Sequence, residues 1–179
     1  MMHKLNFYFI KDFNKKHIKK LPKNIAIIYR NYSQKYNEEE ILKIKKFCIL
    51  DRRKFFLAND LSLVLKLNLD GAYIPSFNKD IAVMKLKTKN ITILGSAHNI
   101  KEINQKKVQK VDYLFISPVF KTTKQTRCLG LIKFNILSKK FNNKVIALGG
   151  INKNNLKMIN NLKNYGIASI SYIKNNNKI

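Results

Sequence analysis

Apolar residues in this chain of 179 residues form short, nearly continuous runs. Strict alternation of polar and apolar positions, the mark of a strand with one face in water, is uncommon in them. Continuous runs are typical of parallel strands that helices cover on one face and further core covers on the other. Eight such runs predict eight strands, at Leu5–Ile10, Ile25–Arg30, Lys54–Ala58, Gly71–Ile74, Ile91–Gly95, Tyr113–Ser117, Val145–Gly149 and Ile167–Ser171.

Segments with helical spacing separate the predicted strands. Four polar residues that favour a helix start stand at the head of such segments, namely Asn37, Asp60, Asn99 and Asn152. Glu40 and Glu102 each follow an asparagine by three positions, which gives the capping-box pattern at both places.

The repeated order of strand and helix predicts an α/β fold. With eight strands, it predicts a small (β/α)8 TIM barrel that occupies residues 1–179 as a single domain. An open doubly wound sheet is the alternative, because periodicity alone does not show that a sheet closes. Since barrels of this kind usually need roughly 200 residues or more, we expect short loops and a short or missing last helix.

The formal net charge of +26 indicates either a polyanionic partner or a bias in composition. Nucleic acid, an acidic membrane and phosphorylated small molecules would all attract such a chain. Lysine, asparagine and isoleucine are all abundant, as an AT-rich coding sequence would produce, and the charge is spread along the whole chain. We therefore favour composition bias as the main cause. Because no fold signature of nucleic-acid binding accompanies the charge, we expect no specific nucleic-acid partner.

The distribution of apolar residues indicates a cytoplasmic protein with no membrane partner. No apolar run approaches the roughly 20 residues that cross a bilayer. The apolar part of the first segment is too short for a secretion signal, and no small-residue cleavage site follows it. Cys48 and Cys128 are expected to be free thiols, because nothing in the sequence requires a disulfide.

Candidate functional residues gather where the predicted strands end. They are Arg30, Asn59, Asp60, Ser96, Thr122, Thr123, Lys124, Gly149, Gly150 and Ser171. In a (β/α)8 barrel the active site lies at the carboxyl ends of the strands. Two cations among hydroxyl, amide and glycine positions suit a phosphorylated substrate, so we expect small phosphorylated molecules as the binding partners.

Three of these places have a plain structural interpretation beside the functional one. Gly149 and Gly150 let backbone N–H groups approach phosphate oxygens beside the next helix N-terminus, or they form a tight turn. Asp60 is a helix cap, or a magnesium ligand that also grips a pyrophosphate. His98 is expected to be only a turn or cap residue.

Five stretches, taken in order, resemble the thiamine phosphate synthase and thiazole tautomerase family. They are FLANDLSLVLKLNLDGAYI (Phe56–Ile74), ILGSAHN (Ile93–Asn99), YLFISPVFKTTKQTRCLGLIKF (Tyr113–Phe134), VIALGGI (Val145–Ile151) and IASISYI (Ile167–Ile173). The likeness extends over nearly the whole chain from about Ile25 onward. It implies a (β/α)8 barrel, Mg²⁺ as cofactor, and a transferase reaction. In that reaction an aminopyrimidine diphosphate condenses with thiazole phosphate to give thiamine phosphate and diphosphate.

The same resemblance assigns roles to individual residues. Arg30 and Lys124 match catalytic residues that bind the diphosphate, and Asn59 and Ser96 match its other contacts. Asp60 matches a magnesium ligand. The thiazole-phosphate contacts are implied at Thr122, Thr123, Gly150, Ile170 and Ser171.

The chain also departs from the family pattern. Tyr32 stands where the family has a lysine, and Phe77 and Asn78 stand near the place of a second magnesium carboxylate. The Thr-x-Thr-Lys loop is shortened to Thr122–Lys124. A tautomerase-like or non-catalytic relative that binds thiazole phosphate is therefore the alternative, and a basic nucleic-acid-binding protein is a remote third class.

Overall fold

Eight parallel strands close into a barrel in the computed structural model of the protein, which describes residues 6–123, 126–160, 162 and 166–168. The strands are β1 (Asn6–Ile10), β2 (Ile25–Tyr29), β3 (Phe55–Ala58), β4 (Gly71–Ile74), β5 (Thr92–Ala97), β6 (Tyr113–Ile116), β7 (Lys144–Leu148) and β8 (Gly166–Ala168). Consecutive strands pair, and Phe7 of β1 lies opposite Ala168 of β8. This closure confirms the predicted (β/α)8 barrel and rules out the open sheet.

Helical segments connect the strands. They are α1 (Lys15–Lys19), α2 (Glu38–Leu50), α3 (Leu61–Lys66), a 3₁₀ helix (Ile81–Lys89), α4 (Ile100–Val108), α5 (Gly130–Ser138) and α6 (Leu156–Asn160). Several are only five or six residues long, which is how a chain of this length completes the barrel. The expected short or missing last helix lies outside the described residues.

Three of the four predicted helix starts, Asn37, Asp60 and Asn99, are N-caps, whereas α6 begins only at Leu156 and not directly after Asn152. Asn37 accepts hydrogen bonds from the Glu39 and Glu40 N–H groups, and Asn99 accepts one from Glu102 N–H. The Glu102 carboxylate reaches back to the His98 N–H and to Asn99 Nδ2, whereas the Glu40 carboxylate does not complete its predicted capping box. Glu40 accepts the Tyr29 hydroxyl at 2.8 Å instead, because that strand ends beside α2.

Two apolar layers make up the core. The barrel interior is filled by side chains that include Phe7, Phe9, Tyr73 and Phe115. Their rings pack edge to face, with the centroids of Phe7 and Phe115 4.9 Å apart and those of Phe9 and Tyr73 5.2 Å apart. A packed interior of this kind leaves the rim of the barrel as the place for a substrate.

The structure also bears on the two cysteines and on possible membrane-spanning helices. Both cysteines are free, with Cys48 buried and Cys128 exposed, as predicted. Across the described residues, none of the helices has the length and apolar character required to cross a membrane.

Candidate active site at the carboxyl ends of the strands

The described candidate residues all lie at one rim of the barrel. Arg30 directly follows β2, Asn59 and Asp60 follow β3, and Ser96 lies near the end of β5. Thr122 and Thr123 belong to the loop after β6, and Gly149 and Gly150 follow β7. The carboxyl ends of parallel strands in a closed barrel share this rim. Three further predicted residues, Lys124, Ile170 and Ser171, lie outside the described residues.

Ser96 is part of a strand and not of a turn. β5 extends two residues beyond its predicted end, because Ser96 pairs with Phe115 and Ala97 with Ile116 of β6. Phe115 faces the barrel interior, so its partner Ser96 faces the same interior. Ser96 is 5% exposed and lies in the barrel interior, directly beneath the rim.

Tyr73 is a functional candidate that the sequence reasoning missed. Burial raises the pKa of its hydroxyl, and the neighbouring Ser96 and Arg30 side chains oppose that shift. Both side chains therefore lie close to the Tyr73 hydroxyl. The guanidinium carbon of Arg30 also lies 4.5 Å from the centroid of the Phe9 ring. A signal existed in the sequence, since Tyr73 carries the one polar side chain in the run Gly71–Ile74.

Asn59 is held in a fixed orientation by two hydrogen bonds. Its φ of 59° is a left-handed conformation, which asparagine adopts more readily than most residues. Its backbone N–H donates to the Tyr73 carbonyl at 2.9 Å, and its Oδ1 accepts from Asn78 Nδ2 at 2.7 Å. The Nδ2 group of Asn59 meets no acceptor among the described residues and can donate to phosphate oxygens.

Asp60 both caps a helix and keeps one oxygen available. Its Oδ1 accepts the Leu63 N–H at 2.9 Å, so the capping interpretation is correct. Its Oδ2 meets no donor among the described residues. The described part of the chain contains no group of three or more His, Cys, Asp or Glu side chains that could hold a metal. One carboxylate fits Mg²⁺ only where phosphate oxygens and waters supply the other ligands, which is common for this ion.

The side chains of Arg30 and Asp60, which follow neighbouring strands, both influence the Tyr36 hydroxyl. Burial raises the pKa of Tyr36, and the hydrogen bond from Asn31 N–H opposes the shift. The negative charge of Asp60 raises this pKa further, and the positive charge of Arg30 lowers it. Both charged side chains therefore act on one hydroxyl at the rim.

Aromatic and amide groups occupy the places where the family resemblance implies charged ones. Tyr32 and Phe77 are 49% and 63% exposed and pack edge to face, with their ring centroids 5.7 Å apart. The Tyr32 hydroxyl is neutral at physiological pH, because the ordinary pKa of tyrosine is about 10. Asn78 donates to Asn59, as described above. The structure thus pairs the two departures, Tyr32 and Phe77, with each other.

The glycine pair after β7 forms a turn against the loop after β6. Gly149 and Gly150 have φ values of 96° and 67°. A Cβ atom at Gly150 would lie 2.4 Å from the Lys121 carbonyl oxygen, so only glycine fits. The Phe120 N–H donates to the Gly149 carbonyl at 3.1 Å. This packing brings Gly150 beside the segment that leads to Thr122 and Thr123.

The helix N-terminus expected beside Gly150 is not there. α6 begins only at Leu156, because the Asn152 side chain first accepts hydrogen bonds from the Asn154 and Asn155 N–H groups. Asn155 Nδ2 donates to the Gly150 carbonyl at 2.9 Å and so stabilises the turn. Any phosphate contact at Gly150 therefore comes from backbone N–H groups and not from a helix dipole.

His98 is a turn residue that directly precedes Asn99, the N-cap of α4. Its backbone N–H and its Nδ1 both contact Glu102 Oε2, at 2.7 and 2.8 Å. A cavity of about 540 Å³ opens beside it and is also lined by Ser117, Arg127 and Lys133. Arg127 is a second cationic residue near the predicted loop that the sequence reasoning did not select.

A larger groove lies at the opposite end of the barrel. It has a volume of about 1060 Å³ and lies at the amino-terminal ends of β5, β6 and β7, beside Thr92, Tyr113 and Lys144. None of the predicted site residues lines it. Its chief acidic group, Asp112, is paired with Lys87 and with the Ile93 N–H.

Comparison with protein families gives one match over most of the chain. Residues 16–173 match the family described as thiamine monophosphate synthase. The thiamine-phosphate synthase of Prochlorococcus marinus subsp. pastoris is 31% identical over 148 residues, which cover 81% of this chain and 41% of that relative. A thiamine-phosphate synthase of Methanococcus maripaludis is 26% identical and is covered over 87% of its length, with 95% of this chain aligned. The chain thus spans less than half of the first relative and most of the second.

A solved structure has the same fold. Thiamine phosphate pyrophosphorylase from Pyrococcus furiosus superposes with a TM-score of 0.74 at 24% sequence identity. The match covers 94% of this chain and 86% of that one. At this identity the likeness shows the barrel fold alone.

Proposed function

Because this chain belongs to the thiamine monophosphate synthase family, we propose that it is a cytoplasmic transferase that makes thiamine phosphate. Its substrates are an aminopyrimidine carrying a diphosphate and thiazole phosphate, and diphosphate is released. The observation that carries the proposal is the set of side chains joined at one rim. Arg30 and Ser96 lie beside the Tyr73 hydroxyl, and the Asn59 N–H donates to the Tyr73 carbonyl of β4.

The proposed reaction makes one bond and breaks another at the methylene of the aminopyrimidine. The bond from this carbon to the diphosphate oxygen breaks, and the leaving diphosphate keeps the electron pair. The ring nitrogen of the thiazole supplies the pair for the new carbon–nitrogen bond. No protein nucleophile is needed, so the protein acts by aligning two rings and by stabilising charge on the leaving group.

Arg30, Asn59 and Ser96 are proposed to hold the diphosphate. The Arg30 guanidinium carries a permanent positive charge and suits phosphate oxygens. The Asn59 amide and the Ser96 hydroxyl add hydrogen bonds from fixed positions. Lys124 is proposed to add a second cation from the loop after β6.

Asp60 is proposed to hold a magnesium ion through its Oδ2 atom. When bound, Mg²⁺ neutralises part of the charge that develops on the leaving diphosphate. The helix-capping bond of Asp60 Oδ1 fixes the carboxylate, so Oδ2 has a defined direction.

Thiazole phosphate is proposed to bind across the loop after β6 and the ends of β7 and β8. The proposed contacts are Thr122, Thr123, Gly150, Ile170 and Ser171. The close packing of Gly150 on Lys121 supports this proposal, because it brings two of the three segments together.

A coupled assay with both substrates and magnesium tests the proposed function. Lys124→Ala should lower kcat by about 100-fold or more, which is the usual cost of losing one charge-stabilising donor. Lys140→Ala, which removes an exposed charge just after α5, is the matched control and should retain activity. A folded parent protein that makes no thiamine phosphate above background would overturn the proposal.

The contact between Tyr32 and Phe77 favours one alternative function. Two neutral rings replace groups whose charges would bind the diphosphate and its metal. A tautomerase-like or non-catalytic relative would bind thiazole phosphate alone. Calorimetry with each substrate separately decides between the two functions, because only the transferase should also bind the aminopyrimidine diphosphate.

A further inference from the structure

Lys106 is a buried cation on the helix that follows β5. Its side chain is 0% exposed, and its Nζ donates to the Pro75 carbonyl at 2.8 Å, to the Asn78 carbonyl at 2.9 Å and to Gln109 Oε1 at 2.8 Å. These three bonds use all three ammonium hydrogens. Burial lowers the pKa of Lys106 to about 8, with the Glu102 charge opposing the shift. Burying a charge costs free energy, so a buried lysine requires hydrogen bonds or a function that offsets this cost.

Gln109, one turn later, holds the same loop. It is also 0% exposed, and its Nε2 donates to the Asn78 carbonyl at 3.1 Å and to the Asp80 carbonyl at 2.9 Å. Residues 75–80, which we name the β4 loop, thus receive four hydrogen bonds from Lys106 and Gln109. The two side chains bind the carbonyls of Asn78 and Asp80, and Lys106 adds a second hydrogen bond at the Pro75 carbonyl, which also accepts the Asn78 N–H at 3.1 Å.

The Lys106 stem reaches the loop by passing over Gly95 of β5. A Cβ atom at Gly95 would lie 3.1 Å from Lys106 Cδ and 2.9 Å from Val111 Cγ2. A larger residue would therefore displace the stem from the strand. Gly95 directly precedes Ser96. The Lys106 side chain of α4 therefore contacts both the strand that carries Ser96 and the β4 loop.

The β4 loop in turn orients a candidate binding residue. Asn78 Nδ2 donates to Asn59 Oδ1 at 2.7 Å, and this bond sets which way the Asn59 amide points. A continuous path of hydrogen bonds therefore leads from Lys106 and Gln109 through Asn78 to Asn59.

We propose that Lys106 and Gln109 are positioning residues, which hold the β4 loop so that Asn78 orients Asn59 toward the diphosphate of the aminopyrimidine substrate. This inference rests on the proposed function. Apolar contacts such as those of Ile103, also buried on α4, suffice to attach a helix to a sheet. The directional bonds of Lys106 and Gln109 do something different, since they fix individual carbonyls of the loop.

Gln109→Glu is the sharpest variant for a test. The carboxylate has the same shape and still accepts from Lys106, but it no longer donates to the carbonyls of Asn78 and Asp80. We expect the KM for the aminopyrimidine diphosphate to rise about tenfold, as is typical when a supporting hydrogen bond is lost. The KM for thiazole phosphate should stay unchanged. Lys106→Met should act in the same direction, and Lys107→Met, an exposed neighbour on the same helix, is the control.

Each outcome of this experiment is informative. An inactive parent protein removes the proposed function and this inference together. An active parent whose Gln109→Glu variant keeps both KM values overturns this inference alone. Equal changes in both KM values, or a loss of kcat with a lower unfolding temperature, indicate a general structural role and also overturn it.

A double-mutant cycle tests the path through Asn78. If Gln109 acts through Asn78, Asn78→Ala and Gln109→Glu should not be additive in their effect on the KM for the diphosphate substrate. Additive effects would show that the two residues act separately, and the inference would then be wrong. Because Gln109→Glu keeps the Lys106 charge paired, this cycle stays decisive even if Lys106→Met does not fold.

Discussion

The hydroxyl group of Tyr73 connects the packed interior of the barrel to its rim. The ring packs between Phe9 and Phe115, and the oxygen lies beside Arg30 and Ser96. A single residue thereby connects the apolar core to two candidate diphosphate contacts. Because the tyrosine hydroxyl is neutral, the charge of Arg30 remains available to a phosphate group.

Tyr73→Phe should weaken diphosphate binding while leaving the fold intact. The ring contacts remain, but Arg30 and Ser96 lose the polar group beside them, so the KM for the diphosphate substrate should rise about tenfold. Steady-state kinetics measures this change. Tyr8→Phe removes another buried hydroxyl, which contacts His17 Nε2 at 2.8 Å, and should leave KM unaltered. Equal effects of the two variants would contradict the role given to Tyr73.

Asp60→Asn should raise the magnesium concentration needed for half-maximal rate. Asparagine also caps helices, so α3 should keep its start, whereas an amide oxygen is a weaker ligand for Mg²⁺ than a carboxylate. Titration of the rate with magnesium at saturating substrate measures the effect. Asp112→Asn, at the other end of the barrel, should leave the titration unchanged. A normal magnesium requirement in Asp60→Asn would show that Asp60 is only a cap.

At the scale of elements, the strands were predictable and the contacts of the β4 loop were not. A parallel strand buried on both faces leaves a continuous apolar run, and a strand lies at each of the eight runs, although residues 169–171 of the last run are outside the described residues. Ser96 was placed outside a strand because local sequence does not show its pairing with Phe115. Lys106 resembles a solvated helix position. Its burial depends on carbonyls about 30 positions away, such as Pro75, which no local pattern reveals.

The contact between α4 and the β4 loop should make stability depend on pH. The pKa of Lys106 is about 8 in the folded protein, against an ordinary value of 10.5. Above pH 8 the folded state therefore loses this proton before the unfolded state does. The unfolded state then binds more protons, so the free energy of unfolding should rise with pH up to about 10.5.

Denaturant unfolding between pH 8 and pH 9.5, with Lys106→Met as the reference, measures this contribution. The difference between the two free energies of unfolding isolates the contribution of Lys106. It removes the effect of tyrosines with raised pKa values, which lower the free energy of unfolding at higher pH. Lys107→Met should follow the parent protein. If the free energy of unfolding changed with pH in the same way in the parent protein and in Lys106→Met, the lowered pKa of Lys106 would be wrong.

At the scale of the whole molecule, the net charge of +26 surrounds the proposed site for two anionic substrates. The long-range field of such a charge attracts phosphorylated molecules and is screened by salt. We expect kcat/KM for the diphosphate substrate to fall as ionic strength rises from about 0.05 M to about 0.5 M, with kcat at saturation unaffected. Initial rates at several salt concentrations test this. A flat profile would mean that the charge reflects composition alone.

The barrel closes where β1 meets β8. Phe7 of β1 lies opposite Ala168 of β8, and the Ile167 N–H donates to Asn6 Oδ1 at 3.4 Å. Under the proposed assignment, thiazole phosphate binds at the ends of β7 and β8. Bound there, it would stabilise the closed barrel. The occupied protein should therefore resist proteolysis better than the empty one.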